Sequence, residues 1–373
     1  MSGIPVVRAR GTPYERGLAI GRALADPIRR SAAYNVAHFA RRGLDRPAIQ
    51  ALAGPLLEAT RRGMPDELAA LHGMADGAGL PLLDVLVPNA YEELDPHADP
   101  GPWADRAGPV PPGPARAVER CSTLTVAARG RTLLGHNEQW LANEPGDVVL
   151  IVEIPDDPAE PAVVSPTCAS WRPAVGMTSG GHAQGVMSLT ATDDRPGIPR
   201  VLVSRAALGA ADPADALRRA TPVERSGGYA YLHAFRGGRA CTVETTAVRA
   251  AQADGQAIHT NHYLHPDLAA LGATPSAGSL ARHARLAELV ATARPSTPGD
   301  VQAILADHGS TPSTICLHPD PADGDDAEAV IFSMVCDLEA GRMWVAPGRP
   351  CEVPFQEFDL HVLLADVMPE GAP

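Results

Sequence analysis

The feature that most constrains the fold is an abrupt change in residue pattern close to Cys121. Before this point, apolar residues recur at the spacing of amphipathic helices. After it, apolar and polar residues alternate with the period of two that is typical of half-buried strands. The chain is therefore predicted to join a helical front third to a sheet-rich remainder.

The front third is predicted to contain four helices, at residues 14–34, 47–62, 65–78 and 81–87. We expect Pro27 to kink the first helix and Pro88 to end the fourth, because proline lacks the backbone N–H that a helix interior needs. Pro65 suits the first turn of the third helix, where that N–H has no partner in any case.

A proline- and glycine-rich run at residues 95–115 separates the two parts and contains seven prolines. Such a run cannot build a regular element and is predicted to be an exposed, mobile loop. It is either a flexible linker or a segment that precedes a processing site, and the pattern leaves both interpretations open.

The remainder is predicted to begin with a hairpin of residues 122–128 and 132–137, turned at Gly130. Further strands are predicted at 148–154, 162–165, 176–177, 185–190, 228–235, 240–245, 248–253, 257–261, 329–335 and 342–346. Helices are predicted at 213–219, 276–293 and 298–307. Strands followed by helices and then strands indicate antiparallel sheets covered by helices, in a layered α+β domain.

Composition narrows the function classes. A hydrophobic content of 45% with 20% charged residues indicates a globular chain that can bury a large core. The net charge of −13 argues against a nucleic-acid or anionic-membrane partner. The first ten residues lack a signal-peptide pattern and no stretch is apolar enough to span a bilayer, so we expect a soluble, cytoplasmic protein. The six cysteines show no C-x-x-C spacing, which implies neither a disulfide framework nor a structural zinc site.

Cys121 is the candidate nucleophile. If the Arg120–Cys121 bond is cut, the freed α-amine lies a few bonds from the thiol of the same residue. An α-amine has a pKa near 8 and can act as a general base, so one residue would supply both groups. A buried structural cysteine is the alternative, and the local pattern alone favours it.

Three other clusters could carry chemistry, at residues 135–140, 258–265 and 310–320. The hairpin brings the first beside Cys121, although a solvated strand end fits the same pattern. In the second, His259 and His262 would point to opposite faces of a strand, so joint metal ligation is awkward and no metal is predicted. Asn261 could stabilise an oxyanion through its amide. The third cluster otherwise fits a loop before a short core strand.

Taken together, these segments resemble the acyl-CoA:6-aminopenicillanic acid acyltransferase family, whose members are cysteine N-terminal-nucleophile hydrolases. The resemblance spans about residues 10 to 350. It rests on residues 67–79 with 88–92, on Cys121-Ser122-Thr123, and on residues 135–140, 259–266 and 315–320.

The resemblance implies a four-layer αββα sandwich and self-cleavage before Cys121. The products would be an α fragment, residues 1–120, and a β fragment, residues 121–373, which remain associated as one domain. It also implies that Cys121 attacks a carbonyl, that Asn261 stabilises the oxyanion, and that no cofactor is needed. The substrate would be a small-molecule amide or thioester, with an acyl-CoA as one donor it suggests. A role in natural-product biosynthesis fits the family.

Two positions differ from the family pattern. Gln139 replaces an aspartate in the segment 135–140, and Leu317 replaces an arginine in the segment 315–320. The loss of one acidic and one basic residue suggests a paired replacement. Gln139 remains a candidate catalytic residue, since its amide can hydrogen-bond to the amine or the substrate although it carries no charge. Glu138 is the other candidate, since it could partly substitute for the missing carboxylate.

The same segments supply the candidate substrate-binding residues: His136, Trp140, His262 and Leu317. Two alternatives remain. In one, the chain is an unprocessed thiol acyltransferase with His136 or His262 as its base. In the other, it is a non-catalytic, ligand-binding member of the fold.

Overall fold

The computed structural model describes residues 3–95, 121–145 and 147–365. Apart from Asp95, the predicted proline-rich loop lies outside these residues, as does Arg120 at the predicted cut. Among the described residues, no helix is both long and apolar enough to cross a membrane.

The front of the chain is helical, as predicted, but it opens with a strand that the pattern did not indicate. The elements are β1 Val6–Gly11, α1 Pro13–Ala23, α2 Ala25–Arg41, α3 Arg46–Gly63, α4 Pro65–Ala78, α5 Leu82–Asn89 and α6 Tyr91–Leu94.

Two predictions about prolines were wrong. The first predicted helix breaks at Leu24, and Pro27 lies in the first turn of α2, where its missing N–H costs no hydrogen bond. Pro88 lies inside α5, which continues to Asn89. A proline in the last turn removes only its own N–H, so it does not have to end the helix there.

Helices α1 and α4 cross at glycines. A Cβ atom on Gly17 would lie 2.0 Å from the carbonyl oxygen of Ala70, and one on Gly73 would lie 2.1 Å from that of Tyr14. Both contacts are with backbone, which cannot move aside as a side chain can. Only glycine therefore permits this helix spacing.

The remaining strands are β2 Ser122–Ala128, β3 Arg131–Leu141, β4 Val148–Pro155, β5 Val163–Cys168, β6 Gly176–Thr178, β7 His182–Leu189, β8 Gly228–Phe235, β9 Arg239–Thr245, β10 Ala250–Asp254, β11 Ile258–His259, β12 Glu328–Asp337, β13 Arg342–Ala346 and β14 Gln356–Asp359. The remaining helices are α7 Arg200–Leu208, α8 Pro213–Ala220, α9 Pro266–Ala269, α10 Ala277–Ala293, α11 Pro298–Leu305 and α12 Leu360–Leu364, with a 3₁₀ turn at Pro321–Asp326.

These strands form two sheets. One has eight strands in the order β1-β4-β5-β6-β7-β8-β9-β10, and the other has six in the order β11-β2-β3-β12-β13-β14. Strand β1 pairs in parallel with β4, with Val6 opposite Leu150, so the front of the chain contributes an edge strand to the larger sheet. The predicted hairpin is confirmed as β2 and β3, with Thr123 opposite His136.

The layers follow the predicted αββα order. Strands β2 and β3 contact β7 and β8, so the two sheets pack face to face. Helices α10 and α11 cover the outer face of the smaller sheet, where Leu286, Val301 and Leu305 pack against Leu124 and Leu133. Helices α7 and α8 contact β7 and β9 of the larger sheet. The four-layer sandwich is confirmed.

Some boundaries differ from the predictions. The strand predicted at residues 257–261 is only β11, because the chain turns away from β2 after His259. Helix α7 and strand β14 were not predicted. Strand β14 joins the edge of its sheet through β13, a pairing that local periodicity does not reveal.

A buried histidine pair predicts how stability depends on pH. His182 Nε2 and His233 Nδ1 are 2.9 Å apart inside the larger sheet. Burial lowers the pKa of His182 to about 4 and lowers that of His233 well below its usual value. An unfolded chain binds protons on these rings below about pH 6.5, whereas the folded chain does not. The contribution of these rings to stability is therefore complete above about pH 6.5 and is lost as the pH drops toward 4.

We expect His182 to lower the free energy of unfolding in urea by on the order of 3 kcal/mol between pH 6.5 and pH 4. Asp194 opposes this loss, because burial raises the pKa of its carboxyl to about 7, so the histidine contribution is measured as the difference between variant and parent. In His233→Gln, the slope of the unfolding free energy against pH should correspond to about one proton fewer taken up on unfolding. The matched control His72→Gln changes an exposed ring and should leave the slope unchanged. An unchanged slope in His233→Gln would contradict the assignment.

Candidate active site

Cys121 lies immediately before β2, beside Glu138 of β3. The residue is 3% exposed, and its thiol donates to Glu138 Oε1 at 3.2 Å. Its backbone has a φ of 76°, in the left-handed region that costs a residue with a side chain about 1 kcal/mol or more. A strained junction thus carries a buried thiol in contact with a carboxylate.

A chain of polar side chains continues from this contact. Glu138 Oε2 is 3.0 Å from His136 Nε2, and His136 Nδ1 is 2.8 Å from Thr123 Oγ1. Alternate residues of a strand share a face, and His136 and Glu138 therefore both point toward the larger sheet. The four residues form a continuous path along which a proton can move from the Cys121 thiol.

The pKa of the Cys121 thiol is raised well above its ordinary value, first by burial and then by the nearby Glu138 carboxylate. The backbone N–H of Gln139 bonds to the sulfur and opposes this shift. The thiol of the uncut chain is consequently protonated at neutral pH. A base must remove that proton before the sulfur can attack a carbonyl.

Asn261 is connected to Cys121 through Arg282 of α10. The fully buried Arg282 guanidinium donates to the Cys121 carbonyl at 2.6 Å and to Asn261 Oδ1 at 2.9 Å. Asn261 Nδ2 in turn donates to the carbonyl of Ser188 at 3.1 Å. The amide of Asn261 is therefore held in a fixed orientation beside a residue that lines the Cys121 pocket.

Arg282 was missed by the sequence reasoning, since an arginine in a helix is ordinarily assigned to the solvent face. A signal was present. Ser279, Arg282 and Leu286 have the helical spacing of one face, and all three are buried.

Gln139 and Leu317 lie on another side of β3. The Gln139 side chain points away from Glu138 and donates from Nε2 to the carbonyl of Ile315 at 3.2 Å. The half-buried Leu317 accepts a backbone hydrogen bond from Val330, which is opposite Gln139. These two positions are neighbours, in keeping with a paired replacement. The structure brings the backbone of Gln139, and not its side chain, to the thiol.

His262 also lies apart from the thiol. Its Nδ1 atom is 2.8 Å from Ser279 Oγ, and its ring packs edge-on against His283. Burial, followed by the proximity of His283, lowers the pKa of His262 to about 4. His262 therefore stays neutral at pH 7 and packs on helix α10.

Cys121 lies at the wall of a partly open pocket between the two sheets. Its walls are mainly apolar and aromatic, and its polar side chains are few. The lining includes Glu138, Trp140, Trp171, Ser188, Tyr229 and Phe332. Such a pocket suits an apolar group attached to a polar reacting centre.

The front of the chain holds the pocket walls. Trp171 packs edge-on against Trp140 with ring centroids 4.9 Å apart. Asn89 accepts from the backbone N–H of Arg172 at 2.6 Å and donates to the carbonyl of Ser170 at 2.9 Å, fixing the turn that carries Trp171.

Charged residues of the front segment also contact the pocket lining. The buried Arg172 pairs with Glu67 and with Glu153, at 3.0 and 2.6 Å. Glu92 accepts a hydrogen bond from the Tyr229 hydroxyl.

Cys121, His136 and Glu138 could in principle coordinate a cation, because one ligand atom of each lies within 4.8 Å of the others. These three residues already form the hydrogen-bonded path that runs from Thr123 through His136 and Glu138 to the Cys121 thiol. This arrangement suits proton transfer without a metal.

The chain was compared with known families and with curated proteins. A family model described as acyl-coenzyme A:6-aminopenicillanic acid acyl-transferase matches residues 126–352. A comparison with curated proteins finds no significant sequence match.

Among solved structures, the chain is similar to penicillin V acylase from Agrobacterium tumefaciens, with 12% sequence identity and a TM-score of 0.43, over 61% of this chain and 82% of that one. It is also similar to a mutant of the conjugated bile acid hydrolase from Clostridium perfringens, with 13% identity and a TM-score of 0.40, over 65% and 93% of the two chains.

The family match covers more than half of the chain and includes β3, Asn261 and the segment 315–320. All three were singled out on the sequence. In the structure β3 lines the Cys121 pocket, Asn261 is joined to Cys121 through Arg282, and Ile315 contacts the other face of β3. The chain therefore belongs to the acyl-coenzyme A:6-aminopenicillanic acid acyl-transferase family.

Proposed function

We propose that this protein is a cysteine amide hydrolase or acyltransferase in which Cys121 carries the acyl group as a thioester. The observation that carries the proposal is the Cys121 thiol, in contact with Glu138, at the wall of an apolar pocket. Family membership places the chain among enzymes of acyl transfer. Cys121, Glu138 and Asn261 are the proposed catalytic residues.

The nucleophile becomes an N-terminus by self-cleavage. The Cys121 thiol attacks the carbonyl of Arg120, the acyl group moves from nitrogen to sulfur, and water hydrolyses the resulting thioester. The products are the carboxylate of Arg120 and the free amine of Cys121. The left-handed backbone at Cys121 favours this step, since cutting the preceding bond releases the strain.

After cleavage the α-amine supplies the base. It takes the thiol proton, and the thiolate then attacks the amide or thioester carbonyl of the substrate. The Asn261 amide stabilises the oxyanion, and the ammonium returns its proton to the leaving group. Water or an acceptor amine then removes the acyl group from sulfur. The Glu138 carboxylate orients the amine and stabilises its charged form.

The pocket indicates the substrate class. Trp140, Trp171 and Phe332 offer an apolar surface beside the sulfur, so an apolar or aromatic acyl group fits. A small-molecule amide, or a thioester such as an acyl-CoA, would present its carbonyl to Cys121. Tailoring of a natural product is the proposed role.

Replacing Trp171 tests this pocket. Trp171→Ala removes one aromatic wall while leaving the Cys121–Glu138 contact in place. We expect kcat/KM for an aromatic acyl amide to fall about tenfold or more, and kcat/KM for the corresponding acetyl amide to change less. Trp344→Ala is the matched control, because Trp344 is also half-buried but packs in the cluster under α10 and α11. Equal losses for both acyl groups would contradict this use of the pocket.

The two fragments are proposed to stay together after the cut. Strand β1 is hydrogen-bonded into the larger sheet through β4, and the Glu67–Arg172 and Glu93–Arg200 pairs join the two sides of the junction. Separating the fragments would expose these charges and one continuous apolar core. Both fragments should therefore elute together in gel filtration.

Denaturing electrophoresis with N-terminal sequencing tests the cleavage. We expect bands of about 12.5 and about 26.4 kDa, from the 38.9 kDa chain divided in proportion to length, with the larger fragment beginning at Cys121. One full-length band with a Cys121 whose alkylation stops turnover would instead support the unprocessed thiol enzyme, for which the Cys121–Glu138–His136 path supplies a base. One band with an unreactive Cys121 would support a ligand-binding protein.

A further inference from the structure

A second group of potential metal ligands lies outside the set of residues that line the Cys121 pocket. It consists of His308, Cys316, His318 and Cys351, whose ligand atoms all lie within 4.8 Å of one another. The Cys351 sulfur is 3.5 Å from the Cys316 sulfur and 3.2 Å from His318 Nε2. The Nε2 atoms of His308 and His318 are 3.2 Å apart.

These separations fit a tetrahedral ion. Zinc binds cysteine sulfur at about 2.3 Å and histidine nitrogen at about 2.0 Å, so its ligand atoms lie about 3.3 to 3.8 Å from one another. The three separations given above, 3.2 to 3.5 Å, are within a few tenths of an ångström of that range. Two sulfurs with two imidazole nitrogens are also a common ligand set of structural zinc sites. Small outward shifts of the side chains would admit the ion.

A neighbouring carboxylate supports the same interpretation. His318 directs Nε2 into the group, while its Nδ1 is 3.5 Å from Glu352 Oε1. Arg349 Nε donates to Glu352 at 2.8 Å and holds the carboxylate in place. Histidines that bind metals commonly present their second nitrogen to a carboxylate, which fixes the ring orientation and makes the ligating nitrogen more basic.

The four residues come from separate parts of the chain. His308 follows α11, Cys316 and His318 lie in the long irregular connection before β12, and Cys351 follows β13. In the same connection, the Ile315 carbonyl accepts from the side chains of Asn137 and Gln139 on β3. An ion here would fasten the segment that backs the strand carrying Glu138.

We propose that His308, Cys316, His318 and Cys351 bind one Zn²⁺ ion as a structural site. Binding displaces the two thiol protons to solvent, and the two thiolates balance the two positive charges of the ion. The ion anchors the 306–327 connection to the loop after β13. It takes no part in the acyl chemistry, so this inference does not depend on the proposed function.

The test uses untagged full-chain protein, saturated with zinc and dialysed against metal-free buffer. Elemental analysis should find about one zinc per chain, and cobalt in its place should give a thiolate charge-transfer band. Cys351→Ser should reduce the retained zinc at least about tenfold and remove that band. Cys241→Ala alters a buried cysteine of β9 and is the control that should retain the ion.

Two outcomes would overturn the proposal without reference to any variant. One is parent protein that retains no zinc after saturation and dialysis. The other is an intact mass lighter by two hydrogens, with a Cys316–Cys351 disulfide found in freshly prepared protein kept from oxidants. Removal of zinc from the parent by a chelator should also lower the Tm, and an unchanged Tm would contradict the anchoring role.

Discussion

Cys121→Ala is expected to yield a folded, full-length chain whose turnover is at least about 10³-fold below that of the parent protein. The substitution removes the sulfur that would attack both the Arg120 carbonyl and the substrate. It creates only a small cavity, because Cys121 is a short side chain at the start of β2. Denaturing electrophoresis and a kinetic assay on the same preparation measure both effects.

Cys241→Ala is the matched control for this variant. Cys241 is another buried, unpaired cysteine, on β9 of the larger sheet. Its replacement should leave cleavage and turnover near the parent values. Residual turnover in Cys121→Ala equal to that of Cys241→Ala would show that Cys121 is not the nucleophile.

Glu138→Gln has the second-largest expected effect, a loss of about 10²-fold in kcat/KM. The side chain keeps its shape but loses the charge that contacts both Cys121 and His136. In the cleaved enzyme, a carboxylate beside the α-amine stabilises the ammonium and raises its pKa. Without that charge the pKa of the amine falls, and the rising limb of the pH–rate profile should move to lower pH.

The uncut chain gives an independent measure of the same interaction. Glu138 contributes to the raised pKa of the Cys121 thiol, so Glu138→Gln in any uncut fraction should make the thiol more reactive toward alkylation at neutral pH. Glu160→Gln removes an exposed carboxylate and serves as the control. An unshifted pH profile together with unchanged alkylation would place Glu138 outside the reaction.

The local parts of the site could be predicted from the sequence. A hairpin turned at Gly130 necessarily brings the end of β3 beside the start of β2, and the structure places Glu138 against Cys121 accordingly. The order of elements indicated only a layered α+β domain, and the αββα order came from the family resemblance. The hairpin rests on short-range pattern, which periodicity reports well.

The side-chain faces were harder to assign. Gln139 was a candidate because it differs from the family pattern. Neighbouring residues of a strand, however, direct their side chains to opposite faces. Glu138 therefore meets the thiol, and the Gln139 side chain meets the Ile315 carbonyl. A shift of one residue along β3 therefore decides which side chain contacts the thiol.

Contacts between distant segments could not be predicted at all. Arg282 reaches Cys121 across 161 positions of the chain, and its importance arises only when α10 packs on the smaller sheet. His308 and Cys351 likewise meet only through the packing of two loops. The group contains no C-x-x-C spacing, so the positions of the cysteines in the sequence do not indicate a metal site.

The most direct test of the central claim is mass spectrometry of the protein quenched with acid during turnover of an apolar acyl amide. The account predicts an adduct with the mass of the acyl group on the fragment that begins at Cys121, mapped by peptide analysis to the Cys121 sulfur. It also predicts that hydroxylamine, which cleaves thioesters, removes the adduct. An adduct on any other residue, or none under single-turnover conditions in which product forms, would contradict it.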